Sequence, residues 1–285
     1  MGEKVLMKGN EAIGEAAIRS GCRHFFGYPI TPQTELSAYM AKKMPKINGV
    51  FLQAESEVSA INMVYGAAAA GMRAMTSSSS PGISLKAEGI SYLAAGDLPC
   101  VIVNIVRGGP GLGGIQPAQS DYFQAVKGGG HGDYHLIVLA PNSVQELAHL
   151  TAEAFNISDE YRIPTMILGD GTLGQMMEPV DLDAIPEPIY ADKPWAAIGT
   201  DNKRKKNVVE TLYLEASELE KKVLEREEKY NVVKENLQRY EAHDIDDADI
   251  IISSYGITSR VVETAVKSLR EEGIKVGVIR PITLW

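Results

Sequence analysis

Residues 100–106 read CVIVNIV, a run that is apolar except for one asparagine. Five further runs of strand length share the first 170 residues with it: CRHFFGY (22–28), GVFLQ (49–53), MRAMT (72–76), HLIVLA (135–140) and TMILGD (165–170). Segments of helical length separate several of these runs, at residues 32–44, 57–70, 82–95 and 142–156. Continuously apolar strands that alternate with helices are typical of a parallel sheet covered by helices on both faces. The sequence therefore predicts an α/β fold built on a mostly parallel sheet.

Four polar or glycine-rich segments directly follow predicted strands: YPITPQTE (28–35), QAESE (53–57), TSSSSPG (76–82) and RGGPGLGGIQPAQSD (107–121). In open parallel sheets, ligands bind at the carboxyl ends of the strands, where the strand-to-helix loops cluster. We therefore expect these loops to form the functional site. The serine run has no visible histidine or aspartate partner, so we interpret it as a loop rather than as a source of a nucleophile.

The bulk composition excludes several classes of partner. The chain has 285 residues, of which 45% are hydrophobic and 23% charged, and its formal net charge is −9. Nucleic acids and anionic membranes both favour clustered Lys and Arg, so this acidic balance argues against either partner. No apolar run approaches the roughly 18 residues of a membrane span, and the N-terminus lacks the pattern of a secretory signal. We expect a cytoplasmic location.

The chain has two cysteines, Cys22 and Cys100, which are far apart in the sequence and belong to no CxxC motif. Neither lies in a Cys/His cluster with the spacing of metal ligands, which Fe–S clusters and structural zinc sites require. We therefore expect no metal site in this chain. Both cysteines adjoin apolar runs, which favours buried core thiols.

The character of the chain changes after residue 178. We predict a first domain at 1–178, a Pro-rich linker with a charged helix at 179–243, and a further α/β unit at 244–285. The last unit reads as one βαβ, which cannot bury its own faces, so we expect it to be completed by another chain or cut short.

The charged helix carries two local patterns. Ser217, followed three residues later by Glu220, predicts a capping box at its start. An apolar seam follows, which suits either a docking surface or a helix that lies on its own domain. Its members are Leu219, Val223, Tyr230, Val233 and Leu237.

Glu55 and Glu57 stand where the second loop becomes a helix. At about 100° per residue, Glu57 reaches the edge of the apolar stripe of that helix, whereas Glu55 points toward water. Glu57 is therefore a candidate for a directed hydrogen bond to a ligand. A first-turn glutamate that complements the helix dipole fits the same spacing.

Two neighbouring loops offer further polar groups. Thr31 followed by Pro32 fits a helix N-cap, and its hydroxyl either caps the helix or donates to a ligand. Arg107 directly follows a buried strand, where a fixed guanidinium is suited to bidentate binding of a carboxylate. The glycines after Arg107 form neither GxGxxG nor a P-loop, so they indicate phosphate binding only weakly.

A family resemblance covers nearly the whole chain. GYPITP (27–32), QAESEVSAINMVYGAAAAG (53–71), TSSSSPGISL (76–85), NIVRGGPGLGGIQPAQSDYFQAVKGGGHGDY (104–134) and YRIPTMILGDG (161–171) occur in this order. The arrangement resembles the α subunit of 2-oxoacid:ferredoxin oxidoreductases, and the fourth block is most similar to the type acting on 3-methyl-2-oxobutanoate (2-ketoisovalerate). The resemblance implies a thiamine-diphosphate pyrimidine-binding domain, followed by the start of a transketolase C-terminal-like domain.

The resemblance also implies roles for single residues. Glu57 matches the glutamate that hydrogen-bonds the pyrimidine ring nitrogen of thiamine diphosphate and so promotes proton removal from the thiazolium carbon. Thr31 and Arg107 match substrate-binding positions. The residues at the aminopyrimidine would be Tyr28, Pro29 and Ile30.

The resemblance implies partners as well. GDG at 169–171 is not followed by the asparagine that a diphosphate motif requires, so we interpret it as a turn at a strand end. Mg²⁺ and the diphosphate would then lie on a β subunit, and Fe–S clusters on a ferredoxin-like subunit that passes electrons to ferredoxin. Substrates would be a 2-oxoacid and coenzyme A. Alternatives are a non-catalytic assembly subunit, the same chemistry on 2-oxoglutarate or pyruvate, and a hydrolase that uses the serine run.

Overall fold

A computed structural model describes residues 4–285; the first three residues of the predicted first domain lie outside the described residues. The strands are β1 (Lys4–Lys8), β2 (His24–Gly27), β3 (Val50–Gln53), β4 (Ala74–Ser78), β5 (Val101–Val106), β6 (Ile137–Leu139), β7 (Thr165–Asp170), β8 (Met177–Asp181), β9 (Tyr240–His243), β10 (Ile250–Ser253) and β11 (Val276–Pro281). The α-helices are α1 (Gly9–Arg19), α2 (Thr34–Lys43), α3 (Glu57–Ala69), α4 (Pro81–Ala95), α5 (Tyr122–Lys127), α6 (Val144–Tyr161), α7 (Gly171–Gln175), α8 (Ala216–Asn236) and α9 (Gly256–Glu271). Short 3-10 helices lie at Met44–Ile47 and Leu182–Ala184.

The central sheet has six strands in the order β3-β2-β4-β5-β7-β6, and every neighbouring pair is parallel. Each of the six apolar runs in the first 170 residues supplies one strand of this sheet. The predicted parallel α/β fold is therefore confirmed. All six strands end at the same edge, which brings the loops after β2, β3, β4 and β5 together.

Strand β5 shows how the sheet is covered on both faces. Val103 and Ile105 pack in one apolar cluster with residues of α1, α2 and α6, whereas Ile102 and Val106 pack in another with residues of α3 and α4. Alternate residues of a strand point to opposite faces, so one short run contributes to two cores. Cys22 and Cys100 are buried in these cores and unpaired, as expected.

A two-stranded antiparallel sheet, β1 with β8, stands apart from the central sheet. The proline-rich segment that follows is held against the domain by Arg73. This buried guanidinium donates to Asp159 Oδ2 (2.8 Å) and to the Ile189 carbonyl, and it lies 4.8 Å from the ring centre of Tyr190. Lys193 Nζ binds the other oxygen of Asp159 at 2.6 Å.

The charged helix α8 docks through its C-terminal half alone. Tyr230 and Val233 are buried in the core, whereas Leu219 and Val223 are exposed. The predicted capping box at Ser217 and Glu220 is wrong: the helix begins at Ala216, and Glu215 is its N-cap without a side-chain hydrogen bond.

The last unit has a strand more than the predicted βαβ. Strands β10 and β11 are parallel, and β9 adds to β11 in antiparallel orientation. The residues after β11 then return to the central sheet, where Leu284 N–H donates to Val138 O (2.8 Å) and Val138 N–H donates to Trp285 O (2.9 Å). Trp285 stacks on His135, with ring centres 4.3 Å apart. The domain boundaries at 178 and 243 stay predictions.

Candidate active site

Glu57 is the first residue of α3, which Ser56 caps by accepting from the Ser59 N–H at 3.2 Å. Glu57 is 5% exposed, and within residues 4–285 its carboxyl accepts no hydrogen bond and joins no ion pair. Glu55 is exposed and accepts a hydrogen bond from the Ser59 hydroxyl. The predicted contrast between an inward Glu57 and an outward Glu55 is confirmed.

The wall facing the Glu57 carboxyl is the start of α4. A Cβ atom on Gly82 would stand 2.7 Å from Glu57 Oε1 and 2.0 Å from Ser78 Oγ, so any side chain there would displace one or both of these groups. The Ser78 hydroxyl is buried and has no hydrogen-bond partner among the described residues. An unpaired carboxyl and an unpaired hydroxyl, on two different elements, therefore both lie close to Gly82.

Arg107 and Thr31 are in direct contact. The Arg107 guanidinium donates from Nη1 to the Thr31 carbonyl (3.0 Å) and from Nη2 to the Leu112 carbonyl (3.2 Å). Its Nε–H is buried and without a partner in the part of the chain that the structure describes. The guanidinium thus ties the loop after β2 to the glycine-rich loop after β5 and keeps one donor free.

Thr31 is not the N-cap of α2, so that prediction is wrong. Residues 30–33 form a turn that the Gln33 N–H closes by donating to the Ile30 carbonyl (3.1 Å), and α2 begins only at Thr34 with Gln33 as its N-cap. The Thr31 side chain is exposed at the sheet edge. Since it does not cap the helix, its hydroxyl is available to a ligand.

Tyr28, Pro29 and Ile30 lie on the surface of this edge, the first two exposed and the third half-buried. Their backbone is fixed from below, because Gln33 Nε2 donates to the Tyr28 carbonyl (3.2 Å). Gln33 is itself buried and accepts from the Ser77 hydroxyl at 2.6 Å. The loop therefore presents an exposed surface on a rigid support.

The prediction that the serine run is a loop is wrong for its first half, whereas Ser79 and Ser80 form the connection between β4 and α4. Thr76, Ser77 and Ser78 belong to β4, and the hydroxyls of the run are buried because the strand lies in the middle of the sheet. Ser80, just before α4, has φ +28° and ψ −84°, a strained conformation of a kind that costs about 1–3 kcal/mol and clusters at functional sites. Its hydroxyl accepts from the Arg107 N–H at 3.1 Å.

Ser80 links the two halves of the site. Its N–H donates to Asn104 Oδ1 at 3.0 Å, and its hydroxyl contacts the Arg107 backbone, so the ends of β4 and β5 are fixed to each other. Gly82 lies two residues farther along, in α4. The Glu57 carboxyl of α3 packs against it. Through residues 78–82, the structure brings Glu57 to the same sheet edge as Thr31 and Arg107.

Asp170 in the GDG sequence has a local structural role. Its carboxylate accepts from the N–H groups of Thr172 (2.7 Å) and Leu173 (3.1 Å), which caps α7, and burial raises its pKa. The segment lies at a strand end, as predicted, but continues into a helix rather than a turn. No group of three or more His, Cys, Asp or Glu side chains suited to a metal ion occurs in residues 4–285.

Lys86 and Gln33 are site neighbours that the sequence patterns do not reveal. Lys86 lies in α4 and is fully buried, and its Nζ donates to Thr76 Oγ1 (2.8 Å) and to the Ser77 carbonyl (2.9 Å). Burial lowers the pKa of Lys86 to about 7, while the negative charge of Glu57 acts in the opposite direction. One signal was present: Lys86 is the lone cation in an otherwise largely apolar helix.

The edge around the site is apolar and uncovered. Leu112 and Ile115 in the glycine-rich loop and Phe123 in α5 are 82%, 62% and 70% exposed. Exposed large apolar side chains beside a site favour an interaction surface there. No helix among residues 4–285 is both long enough and apolar enough to cross a membrane.

A buried carboxyl without an intrachain partner is chemically suited to a hydrogen bond with the ring nitrogen of a heterocycle. This acid lies at the carboxyl edge of the parallel sheet, where ligands of such sheets bind. A family model described as "Pyruvate flavodoxin/ferredoxin oxidoreductase, thiamine diP-bdg" matches residues 15–256, and one described as "Pyruvate:ferredoxin oxidoreductase core domain II" matches residues 248–285. The chain belongs to the pyruvate flavodoxin/ferredoxin oxidoreductase family, which confirms the resemblance inferred from its motifs.

This chain covers most of the length of two relatives with assigned roles. Ketoisovalerate oxidoreductase subunit VorB of Methanothermobacter marburgensis is 51% identical over 98% of this chain and 79% of that protein. 2-Oxoglutarate synthase subunit KorA of Methanothermobacter thermautotrophicus is 37% identical over 100% of this chain and 82% of that protein. A solved 2-oxoglutarate:ferredoxin oxidoreductase from Magnetococcus marinus, with 2-oxoglutarate, coenzyme A and succinyl-CoA bound, has a TM-score of 0.89 at 31% identity. That match covers the whole of this chain and 54% of the solved chain.

Proposed function

We propose that this chain is a subunit of a thiamine-diphosphate-dependent 2-oxoacid:ferredoxin oxidoreductase, an enzyme that oxidatively decarboxylates 3-methyl-2-oxobutanoate to its acyl-CoA and passes the electrons to ferredoxin. The observation that carries the proposal is the buried, unpaired carboxyl of Glu57 at the carboxyl edge of the sheet. Its support from outside the chain is the family membership, together with 51% identity to a ketoisovalerate oxidoreductase subunit.

Glu57 would hold the ring nitrogen of the aminopyrimidine and share a proton with it. The low exposure of Glu57 keeps water away from that hydrogen bond, which strengthens it. Bound thiamine diphosphate supplies the carbon nucleophile that attacks the 2-oxo group. Tyr28, Pro29 and Ile30 would line the exposed side of the ring through their backbone.

Arg107 and Thr31 would bind the 2-oxoacid. The Arg107 guanidinium is locked by two backbone carbonyls and retains a buried Nε–H without a partner, which suits a carboxylate or carbonyl oxygen of the substrate. The Thr31 hydroxyl, exposed at the same edge, would donate to a second oxygen. Fixed donors of this kind orient a substrate without a further entropic cost.

The remaining parts of the enzyme would come from partner chains. A β subunit would carry the diphosphate-binding half of the cofactor site with its Mg²⁺, and a ferredoxin-like subunit would carry the Fe–S clusters. The exposed apolar side chains of Leu112, Ile115 and Phe123 beside the site support docking of such a subunit there. Coenzyme A, ferredoxin and a cytoplasmic location complete the proposal.

The assignment of substrate rests on the ranking of relatives. Identity is 51% to the VorB subunit and 37% to the KorA subunit, which favours the branched-chain acid over 2-oxoglutarate. To test it, the chain is co-expressed with its partner subunits, and dye reduction is measured with 3-methyl-2-oxobutanoate, 2-oxoglutarate and pyruvate. Highest kcat/KM for the branched acid supports the assignment, and highest kcat/KM for either other acid contradicts it.

Glu57→Gln tests the catalytic role, with Glu55→Gln as its matched control two residues away. We expect Glu57→Gln to lower coenzyme A-dependent turnover by roughly 100-fold or more, the range of a lost proton-transfer group, with the complex intact. Glu55→Gln, on the exposed side, should leave turnover unchanged. Unchanged turnover in Glu57→Gln would favour the non-catalytic assembly role instead.

A further inference from the structure

A buried hydrogen-bond chain runs beneath the proposed cofactor site. It begins at Lys86, whose Nζ donates to Thr76 Oγ1 (2.8 Å) and to the Ser77 carbonyl (2.9 Å). The Ser77 hydroxyl donates to Gln33 Oε1 (2.6 Å), and Gln33 Nε2 donates to the Tyr28 carbonyl (3.2 Å). Lys86, Thr76, Ser77 and Gln33 are all fully buried. This series of hydrogen bonds therefore connects the middle of α4 to the surface loop after β2.

Lys86 is the member of this hydrogen-bond series whose burial is energetically unfavourable. It forms no ion pair with any residue in 4–285, although a buried amine without a counter-ion lies in an unfavourable environment. Glu57 is the charged group that acts on it. A fold retains a group of this kind, against local stability, chiefly where a functional site uses it.

We propose that Lys86 is a positioning residue for the cofactor site, acting on the end of β4 and, through Ser77 and Gln33, on the Tyr28 carbonyl. This inference rests on the proposed function, in which the aminopyrimidine lies between Glu57 and the loop that carries Tyr28. Lys86 would not touch the ring. It would fix the distance between the two parts of the site that do touch the ring, Glu57 and the loop that carries Tyr28. Glu57 is linked to Lys86 because it packs against the N-terminal turn of the helix that carries Lys86.

Two variants interrupt the chain at different points. Lys86→Met keeps the length of the side chain and removes its donors, and Ser77→Ala removes the single hydroxyl that reaches Gln33. Lys42→Met, at an exposed position of α2, is the matched control. All are made in the complex assembled with its partner subunits. The dissociation constant of thiamine diphosphate with Mg²⁺ is measured by calorimetry, and the unfolding temperature is measured without cofactor.

We expect Lys86→Met and Ser77→Ala each to weaken thiamine diphosphate binding about tenfold, the equivalent of one net hydrogen bond. The double variant should bind no more weakly than the weaker single variant, because both changes break the same chain. Lys42→Met should bind as the wild type does. The unfolding temperature of Lys86→Met should not fall, since the buried amine is removed along with its donors.

The outcomes separate this inference from the proposed function. A wild-type complex that binds no thiamine diphosphate would contradict the proposed function and the role of Lys86 with it. Wild-type binding together with unchanged affinity in both variants would contradict only the role of Lys86. Additive losses, or losses that parallel a lower unfolding temperature, would also overturn it. If Lys86→Met does not assemble, Ser77→Ala decides by the same criteria.

Discussion

Gly82 lies so close to Glu57 that one added carbon atom would collide with the carboxyl: a Cβ on Gly82 would stand 2.7 Å from Oε1 of Glu57. It would stand even closer, at 2.0 Å, to the hydroxyl of Ser78. The first turn of α4 thus packs closely against the acid that we propose as catalytic. The position of that acid depends on a residue without a side chain.

Gly82→Ala should therefore displace Glu57. We expect thiamine diphosphate binding to weaken at least about tenfold and the free energy of unfolding to fall by about 1–3 kcal/mol, the usual range for overpacking. Gly66→Ala, in α3 with no heavy atom within 4 Å, is the control. It should leave affinity unchanged and stabilise the helix by about 0.5–1 kcal/mol. Calorimetric titration and urea unfolding measure both quantities, and equal behaviour of the two variants would contradict this account of the site.

Arg107→Lys should raise KM for the 2-oxoacid about tenfold. A lysine ammonium is a point charge and does not reproduce the planar fork that spans the Thr31 and Leu112 carbonyls. Steady-state kinetics of the assembled complex check this, and limited proteolysis of the glycine-rich loop should quicken at the same time. The control is Arg19→Lys, whose guanidinium is 41% exposed and pairs with Glu15 on the surface. Wild-type KM in Arg107→Lys would remove Arg107 from the substrate site.

Lys86 should make the stability of the protein depend on pH. Its pKa in the folded chain is about 7 against an ordinary 10.5, so between these values the unfolded chain binds a proton that the folded chain does not. Stability then rises with pH, by about 2 kcal/mol between about pH 7 and about pH 9. Above that range the buried Cys22 thiol, whose pKa burial raises to about 12, acts in the opposite direction.

The difference between wild type and Lys86→Met isolates this contribution. Urea unfolding at several pH values should show the wild type gaining about 2 kcal/mol relative to the variant as the pH rises through this window. A difference that stays flat with pH would mean that the amine keeps its ordinary pKa, against the buried position described for it.

Arg73→Met should lower the free energy of unfolding by about 1–3 kcal/mol, since it removes hydrogen bonds to buried groups while Lys193 keeps the Asp159 carboxylate paired. The proline-rich segment should also become more sensitive to protease, because it loses its contacts with the guanidinium at Ile189 and Tyr190. Arg204→Met, an exposed arginine of the same segment, should change stability by less than about 0.5 kcal/mol. Equal effects of the two changes would contradict the anchoring role.

The central sheet was predictable because its strands are buried on both faces and so are continuously apolar. Strand β1, KVLMK, was not, since its apolar stretch is only three residues long and of these only Met7 is buried. The same limit applies to the Ser77 hydroxyl: a polar residue within β4 has the sequence signature of a loop, and only the tertiary partner Gln33 explains its burial.

The site was predictable as far as local patterns reach. The burial of Glu57 followed from helical geometry, and the place of Arg107 after a buried strand could be read from the sequence, whereas the roles of both residues rest on the family resemblance and stay predictions. Lys86 did not follow, because a lysine in a helix is normally solvated, and its burial depends on how α4 meets β4. The capping errors at Thr31 and Ser217 have a common cause, since a residue type that favours caps does not fix where the first helical hydrogen bond forms.

The chain segment that pairs with β6 has a consequence for association between molecules. An uncovered edge strand is a template on which a foreign strand adds and on which aggregates grow. The backbone of residues 282–285 hydrogen-bonds to the backbone of β6 and the residue after it. The Trp285 ring, stacked on His135, shields these hydrogen bonds. A destabilised variant in which this segment detaches, for example by loss of the Trp285 stack, would expose that template and should precipitate before it loses its helices.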